Sequence, residues 1–169
     1  MAEAPMLKII EALEGESIEL VRRLFEEYGA WGQAKGIVFP EEFRAFQEQL
    51  AKLPGCFAPP DGRLLLAIHQ GRAAGCVALR RLSDDVCEMK RLYVAPAFRR
   101  LGIGRALAEA VIEQARKIGY ASMRLDTVAA MKAAGALYVS LGFKEIKAYR
   151  YNPLEDAKFM ELELNKANE

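Results

Sequence analysis

The sequence holds a single histidine, His69, and three cysteines, Cys56, Cys76 and Cys87, with no CxxC pair among them. That scarcity speaks against a disulfide framework and against a zinc site. Cys76 and Cys87 fall in strand-like runs and read as small core residues. His69 ends an apolar run and reads as a structural residue, and no cysteine has a histidine nearby in sequence to activate it. Excess charge of either sign is also missing, because the formal net charge is +1. General nucleic-acid binding needs a basic surplus, so that class loses its support. No stretch approaches the ~18 apolar residues that cross a bilayer, and no membrane partner is expected. The start, Met1 to Pro5, carries Glu3 and lacks a basic region followed by an apolar run. No secretory leader is expected, and a cytoplasmic location is the expectation.

What remains is a chain of 169 residues, 52% of them apolar. That suits one domain, 1–169, around a buried core. There is no internal repeat, low-complexity tract or linker. Leu7 to Ala12 reads as a first strand. Ser17 is a candidate helix cap, and Ile18, Val21, Leu24, Phe25 and Tyr28 then recur at helical spacing. Gly29, Gly32 and Gly36 are expected to loosen the next stretch, which carries Trp31 and Phe39. Pro40 suits the start of a second helix with a Phe43, Phe46, Leu50, Leu53 stripe, ended by Pro54. Arg63 to His69, Ala73 to Leu82 and Val86 to Val94 read as an antiparallel meander, the first buried on both faces at Leu64-Leu65-Leu66. Ser122 to Thr127 is a further strand, parallel to Val86–Val94 if a helix crosses between them. Met131 to Leu141 reads as a helix closed by Gly142. Phe143 to Tyr149 and Phe159 to Leu164 read as closing strands.

The stretch from Val86 to Gly119 is the most informative. A strand breaks at Ala95-Pro96, and the turn Arg99-Arg100-Leu101-Gly102-Ile103-Gly104 follows. A helix then places Ile103, Leu107, Ala110, Val111, Gln114 and Ile118 on one side. The first N–H groups of a helix have no partner within it, and the helix dipole adds positive potential there. Glycine lets backbone approach a ligand, and Arg99, Arg100 and Arg105 add forked donors suited to phosphate. The order strand, glycine turn, helix is a phosphate cradle. It lacks the Gly-Lys-Ser/Thr of a P-loop and the third glycine of a dinucleotide fold. The other basic pairs, Arg80-Arg81 and Lys90-Arg91, read as solvated faces.

Arg99-x-x-Gly102-x-Gly104, preceded by Leu92-Tyr93-Val94-x-Pro96, resembles the acetyl-CoA-binding motif of GNAT-type N-acetyltransferases. Leu137-Tyr138-Val139-Ser140-Leu141-Gly142-Phe143 resembles that family's later Leu-Tyr-x-x-Leu-Gly-Phe block. The resemblance implies a mixed, mostly antiparallel twisted sheet of about six to seven strands flanked by four helices. It implies acetyl-CoA as co-substrate, no metal, and direct transfer to a primary amine in a ternary complex. Leu92, Tyr93 and Val94 would pair with the pantetheine arm, and Arg99, Arg100, Leu101, Gly102, Ile103, Gly104 and Arg105 would hold the pyrophosphate. Tyr138 would protonate the departing thiolate.

Glu88 matches a position that often carries the general base, which must deprotonate an amine of pKa about 10.4. An ion-paired Glu88 beside Lys90 is the competing reading. Met131 stands where many members carry asparagine, which puts cofactor contacts from that helix in doubt. Acceptor specificity in the family lies between the first two helices and in the loop before the last strand, here Tyr28 to Phe39 and Tyr149 to Lys158. Trp31, Tyr149 and Tyr151 would be its walls and Arg150 a carboxylate partner, which points to a small amine or an amino acid. A protein or peptide N-terminus, or a CoA-binding regulatory module without turnover, are the alternatives. A homodimer is compatible with the chain.

Overall fold

The computed structural model describes residues 6–38 and 40–164. Phe39 therefore lies outside the described residues. Seven strands form one sheet in the order β1-β2-β3-β4-β5-β7-β6. They are β1 (Leu7–Glu11), β2 (Arg63–His69), β3 (Arg72–Arg81), β4 (Val86–Val94), β5 (Ser122–Thr127), β6 (Lys144–Ile146) and β7 (Lys158–Glu163). The helices are α1 (Glu16–Ala34), α2 (Pro40–Ala51), α3 (Ile103–Ile118) and α4 (Lys132–Ser140). Every strand pair is antiparallel except β4 with β5.

The core is layered on both faces of this sheet. Successive strand residues point to opposite faces. On β4, Tyr93 meets Tyr28 of α1 edge-on at 5.9 Å. Its neighbour Val94 points the other way, toward Gly104 of α3. α1 and α3 thus cover opposite faces. The leucine run Leu64–Leu66 on β2 is buried, 1%, 4% and 0% exposed, because both layers press on it.

Four expectations need correction. Ser17 does not cap α1. Its hydroxyl donates to the Glu14 carbonyl at 2.8 Å from inside the helix, and Gly15, with φ 64°, holds the N-cap. Gly29 and Gly32 do not loosen the chain; α1 runs through both. A Cβ on Gly29 would lie 2.8 Å from the Phe46 ring, and one on Gly32 would lie 2.5 Å from Val38. These glycines admit the α2 segment to close packing. The buried stripe of α3 comprises Ile103, Leu107, Ala108, Val111, Ile112 and Ala115, rotated from the expected Ala110, Gln114 and Ile118. Gln114 instead accepts a hydrogen bond from Arg63 at 3.1 Å. The strand expected over Phe143–Tyr149 stops at Ile146, and the chain then turns Tyr149 toward β4.

Candidate active site

The parallel seam between β4 and β5 is short. Only Val86, Cys87 and Glu88 pair with Ser122, Met123 and Arg124. Beyond them, β4 continues along β3 and β5 along β7, and the two strands part. A cleft of about 900 Å³ opens there. Its walls are the second half of β4, the end of β5, the first turn of α3, α4, and the facing parts of α1 and α2. β4 bulges at the same place. Cys76 of β3 pairs with Tyr93 and Ala78 with Lys90, so Arg91 and Leu92 together oppose Val77. Arg91 takes a positive φ of 58° in that bulge.

The glycine turn forms as the sequence predicts. Gly102 is the N-cap of α3 with φ 79°, a left-handed conformation that glycine adopts without a Cβ penalty. The N–H groups of Ile103, Gly104 and Arg105 belong to the unpaired first turn. Arg99, Arg100, Gly102, Ile103 and Gly104 line the cleft, as do Leu92, Tyr93 and Val94. Arg99 is steadied by donating to the Val94 carbonyl at 3.0 Å. Two expected ligands direct their side chains elsewhere. The Leu101 side chain is 53% exposed to solvent and is not part of the lining. Arg105 donates to the Ser140 hydroxyl at 2.5 Å, tying α3 to α4.

Tyr138 of α4 lines the cleft, is 7% exposed and packs edge-on against Phe143 at 5.7 Å. Burial raises its phenol above the usual tyrosine range, so it stays protonated at neutral pH. Met131 holds the N-cap of α4 without a side-chain capping bond, and its sulfur meets the Thr127 hydroxyl at 3.9 Å.

Glu88 sits elsewhere than a direct base requires. It is fully buried, and it lies behind the cleft wall. Arg80 contacts its Oε1 at 2.8 Å, Arg150 contacts Oε2 at 2.6 Å, and the Tyr149 hydroxyl donates to Oε2 at 2.5 Å. Lys90 lies 3.8 Å from Oε1. An amine in the cleft meets Lys90 and Arg150 before it meets Glu88. The ion-paired reading of Glu88 describes its surroundings. Arg150 is likewise engaged, holding Asp126 at 2.7 Å as well as Glu88. Tyr149 is turned inward, so of the expected walls only Trp31 and Tyr151 face the cleft.

Lys90, Arg91 and Asp126 line the cleft, although none was singled out in the sequence as a site residue. The sequence pattern alone puts Lys90 and Arg91 on a solvated face. Lys90 shares a face of β4 with Glu88, two residues before it, and that was the available signal for Lys90. Burial lowers the Lys90 ammonium to about 8, against the opposing pull of Glu88. Burial also lowers Arg91 from its ordinary value, with Tyr28 acting the other way. Among the described residues there is no cluster of three His, Cys, Asp or Glu able to hold a metal ion, and no helix long and apolar enough to cross a membrane.

Residues 19–143 match the model of the acetyltransferase (GNAT) family. The chain belongs to that family. It is 40% identical over 126 residues to an uncharacterized N-acetyltransferase of Schizosaccharomyces pombe, covering 73% of this chain and 77% of that protein. It is 36% identical over 104 residues to the N-acetylaspartate synthetase of Danio rerio, covering 60% of this chain and 37% of that protein. A Salmonella typhimurium putative acetyltransferase, solved with acetyl-CoA, superposes with a TM-score of 0.71 at 21% identity over 98% of both chains. This member of the GNAT family is thus an acyltransferase that depends on acetyl-CoA. The parted β4–β5 seam and the Gly102 turn are the parts of its fold that fit such a co-substrate.

Proposed function

We propose that the protein moves the acetyl group of acetyl-CoA to the primary amine of a small molecule by direct attack in a ternary complex. The observation that carries this is the open seam, which runs from the unpaired first turn of α3 to the buried phenol of Tyr138. The first turn of α3, with Arg99 and Arg100, would hold the pyrophosphate. The free edge of β4 at Leu92 to Val94 would pair with the pantetheine amides. A backbone N–H near Val94 would face the carbonyl oxygen as it gains charge.

The amine nitrogen forms a bond to the acetyl carbon, and the carbon–sulfur bond breaks. Tyr138 gives its proton to the sulfur. We assign the amine proton to Lys90, whose neutral form is available near pH 8. Glu88 then acts through Lys90, holding the new ammonium without touching substrate. The synthetase relative, whose name gives an amino-acid product, supports a small acceptor.

Calorimetric titration of acetyl-CoA and thiol-release kinetics with an amine panel test the reading together. Gly102→Ala with Arg99→Ala should weaken acetyl-CoA binding at least tenfold, since a lost charge-assisted bond costs about 1.5–3 kcal/mol. Tyr138→Phe should bind acetyl-CoA as the wild type does and lower kcat about a hundredfold. Wild-type protein that binds no acetyl-CoA, or a Tyr138→Phe variant with full turnover, would refute it.

A further inference from the structure

The cations at the inner end of the cleft are not equally satisfied. Lys90 has Glu88, and Arg150 has Glu88 and Asp126. Arg91, beside them on the β4 bulge, has no carboxylate partner among the described residues. Its guanidinium donates to the neutral Gln49 side chain, whose Oε1 lies 3.4 Å from Nε and 3.2 Å from Nη2, and it also bonds the neutral Tyr28 phenol. Its guanidinium lies over the rings of Phe46 at 4.6 Å and Tyr28 at 5.9 Å. Those rings and Gln49 fix the plane of the group and leave part of its donor fork uncommitted.

The backbone supports the same assignment. A non-glycine residue at φ 58° is sparsely populated, and such conformations persist where surrounding structure over-determines them and cluster at functional sites. Here the bulge turns Arg91 into the cleft wall, among Tyr28, Gln49 and Trp31. A part-buried cation whose nearest carboxylates, Glu88 and Asp126, are paired with other cations is open to a further anion, and a planar fork is matched by a planar anion.

We infer that Arg91 is the acceptor's carboxylate receptor, so that the preferred amine is that of an amino acid or a related amino-carboxylate. This rests on the acetyl-transfer reading and narrows it. Arg91 is a specificity residue that touches substrate. Arg150, the residue first expected in that role, is a structural ion-pair partner.

Trp31 is the only tryptophan in the chain and lines the same cleft, so it reports occupancy without turnover. The probes are N-acetyl-L-amino acids and their carboxamides, titrated against Trp31 fluorescence with CoA present. Thiol release is measured in parallel with the free amino acids and their amides. Wild-type protein should bind at least one acid about ten- to a hundredfold more tightly than its amide, the range of a lost charge-assisted bond. Arg91→Met should abolish that preference and Arg91→Lys should keep part of it, while acetyl-CoA affinity is unchanged in both. Equal binding of acids and amides, no binding of any acid, or a preference that survives in Arg91→Met overturns the inference. Loss of acetyl-CoA binding in the wild type would be the separate failure of the acetyl-transfer reading.

Discussion

Replacing Glu88 with glutamine keeps the volume of the side chain and removes its charge. The carboxylate is wholly inaccessible, and two arginines and a phenol lie within 2.8 Å of its oxygens. Removing one member of a buried ion pair costs about 3–5 kcal/mol, because the partners stay desolvated without their counter-charge. Here the partners retain some water: side-chain exposure is 30% for Arg80, 27% for Arg150 and 16% for Lys90. The low end of that range, about 3 kcal/mol, therefore applies. For a chain of this length, about 2–4 °C is lost per kcal/mol, so Tm should fall by about 6–12 °C. Urea unfolding at pH 7 measures it, with Glu161→Gln as the reference. The Arg124–Glu161 pair is 2.6 Å long with 33% and 26% exposure, and its loss should cost under about 1 kcal/mol. If Glu88→Gln costs no more than Glu161→Gln, Glu88 is not the electrostatic centre of this sheet.

Lys90 supplies a prediction with a definite sign. Its folded-state value is lowered to about 8 from 10.5, so between those pH values the unfolded chain binds more protons than the folded one. Stability of the wild type relative to Lys90→Met should therefore rise with pH across that window, by up to about 1.4 kcal/mol per unit. The raised thiols and phenols oppose this equally in both proteins and cancel in the difference. In kinetics, kcat/KM should climb to a plateau above about pH 8, and Lys90→Met should lose that limb. Gly29→Ala should cost about 1–3 kcal/mol through its 2.8 Å approach to Phe46, measured by thermal unfolding; a neutral result would mean that α2 is free to move away.

Local features were legible in the sequence because their causes are local. The strand over Val86–Val94, the glycine turn and the helix after it needed only neighbouring residues, and all three elements formed, although the buried stripe of α3 is rotated from the expected one. The open seam was not legible, since it depends on β5 leaving β4 to follow β7. Glu88 shows the same limit. Tyr149, 61 residues away, and Arg150 take its oxygens, and no spacing rule foretells that. Gly29 and Gly32 were misjudged for a related reason. Helix propensity marks glycine as a breaker, but here contact with Phe46 and Val38 decides. A charged pair on a strand usually reads as a wet face, but Lys90 and Arg91 both line the cleft, Lys90 in regular register with Ala78 and Arg91 from the bulge.

The three-residue seam between β4 and β5 makes the sheet two leaves held by one clip, β1 to β4 on one side and β5, β7 and β6 on the other. Facing edges past the clip lack ladder partners, so their amides should exchange readily in the free chain. In the proposed binding mode a co-substrate laid along them would take the place of a missing strand and join the leaves. Ligand saturation then becomes a folding variable. At a hundred times its Kd it would add about 2.7 kcal/mol to stability, close to the cost predicted for removing the Glu88 charge. The chain is in this sense a zipper stopped part-way, whose remaining teeth would arrive with its co-substrate.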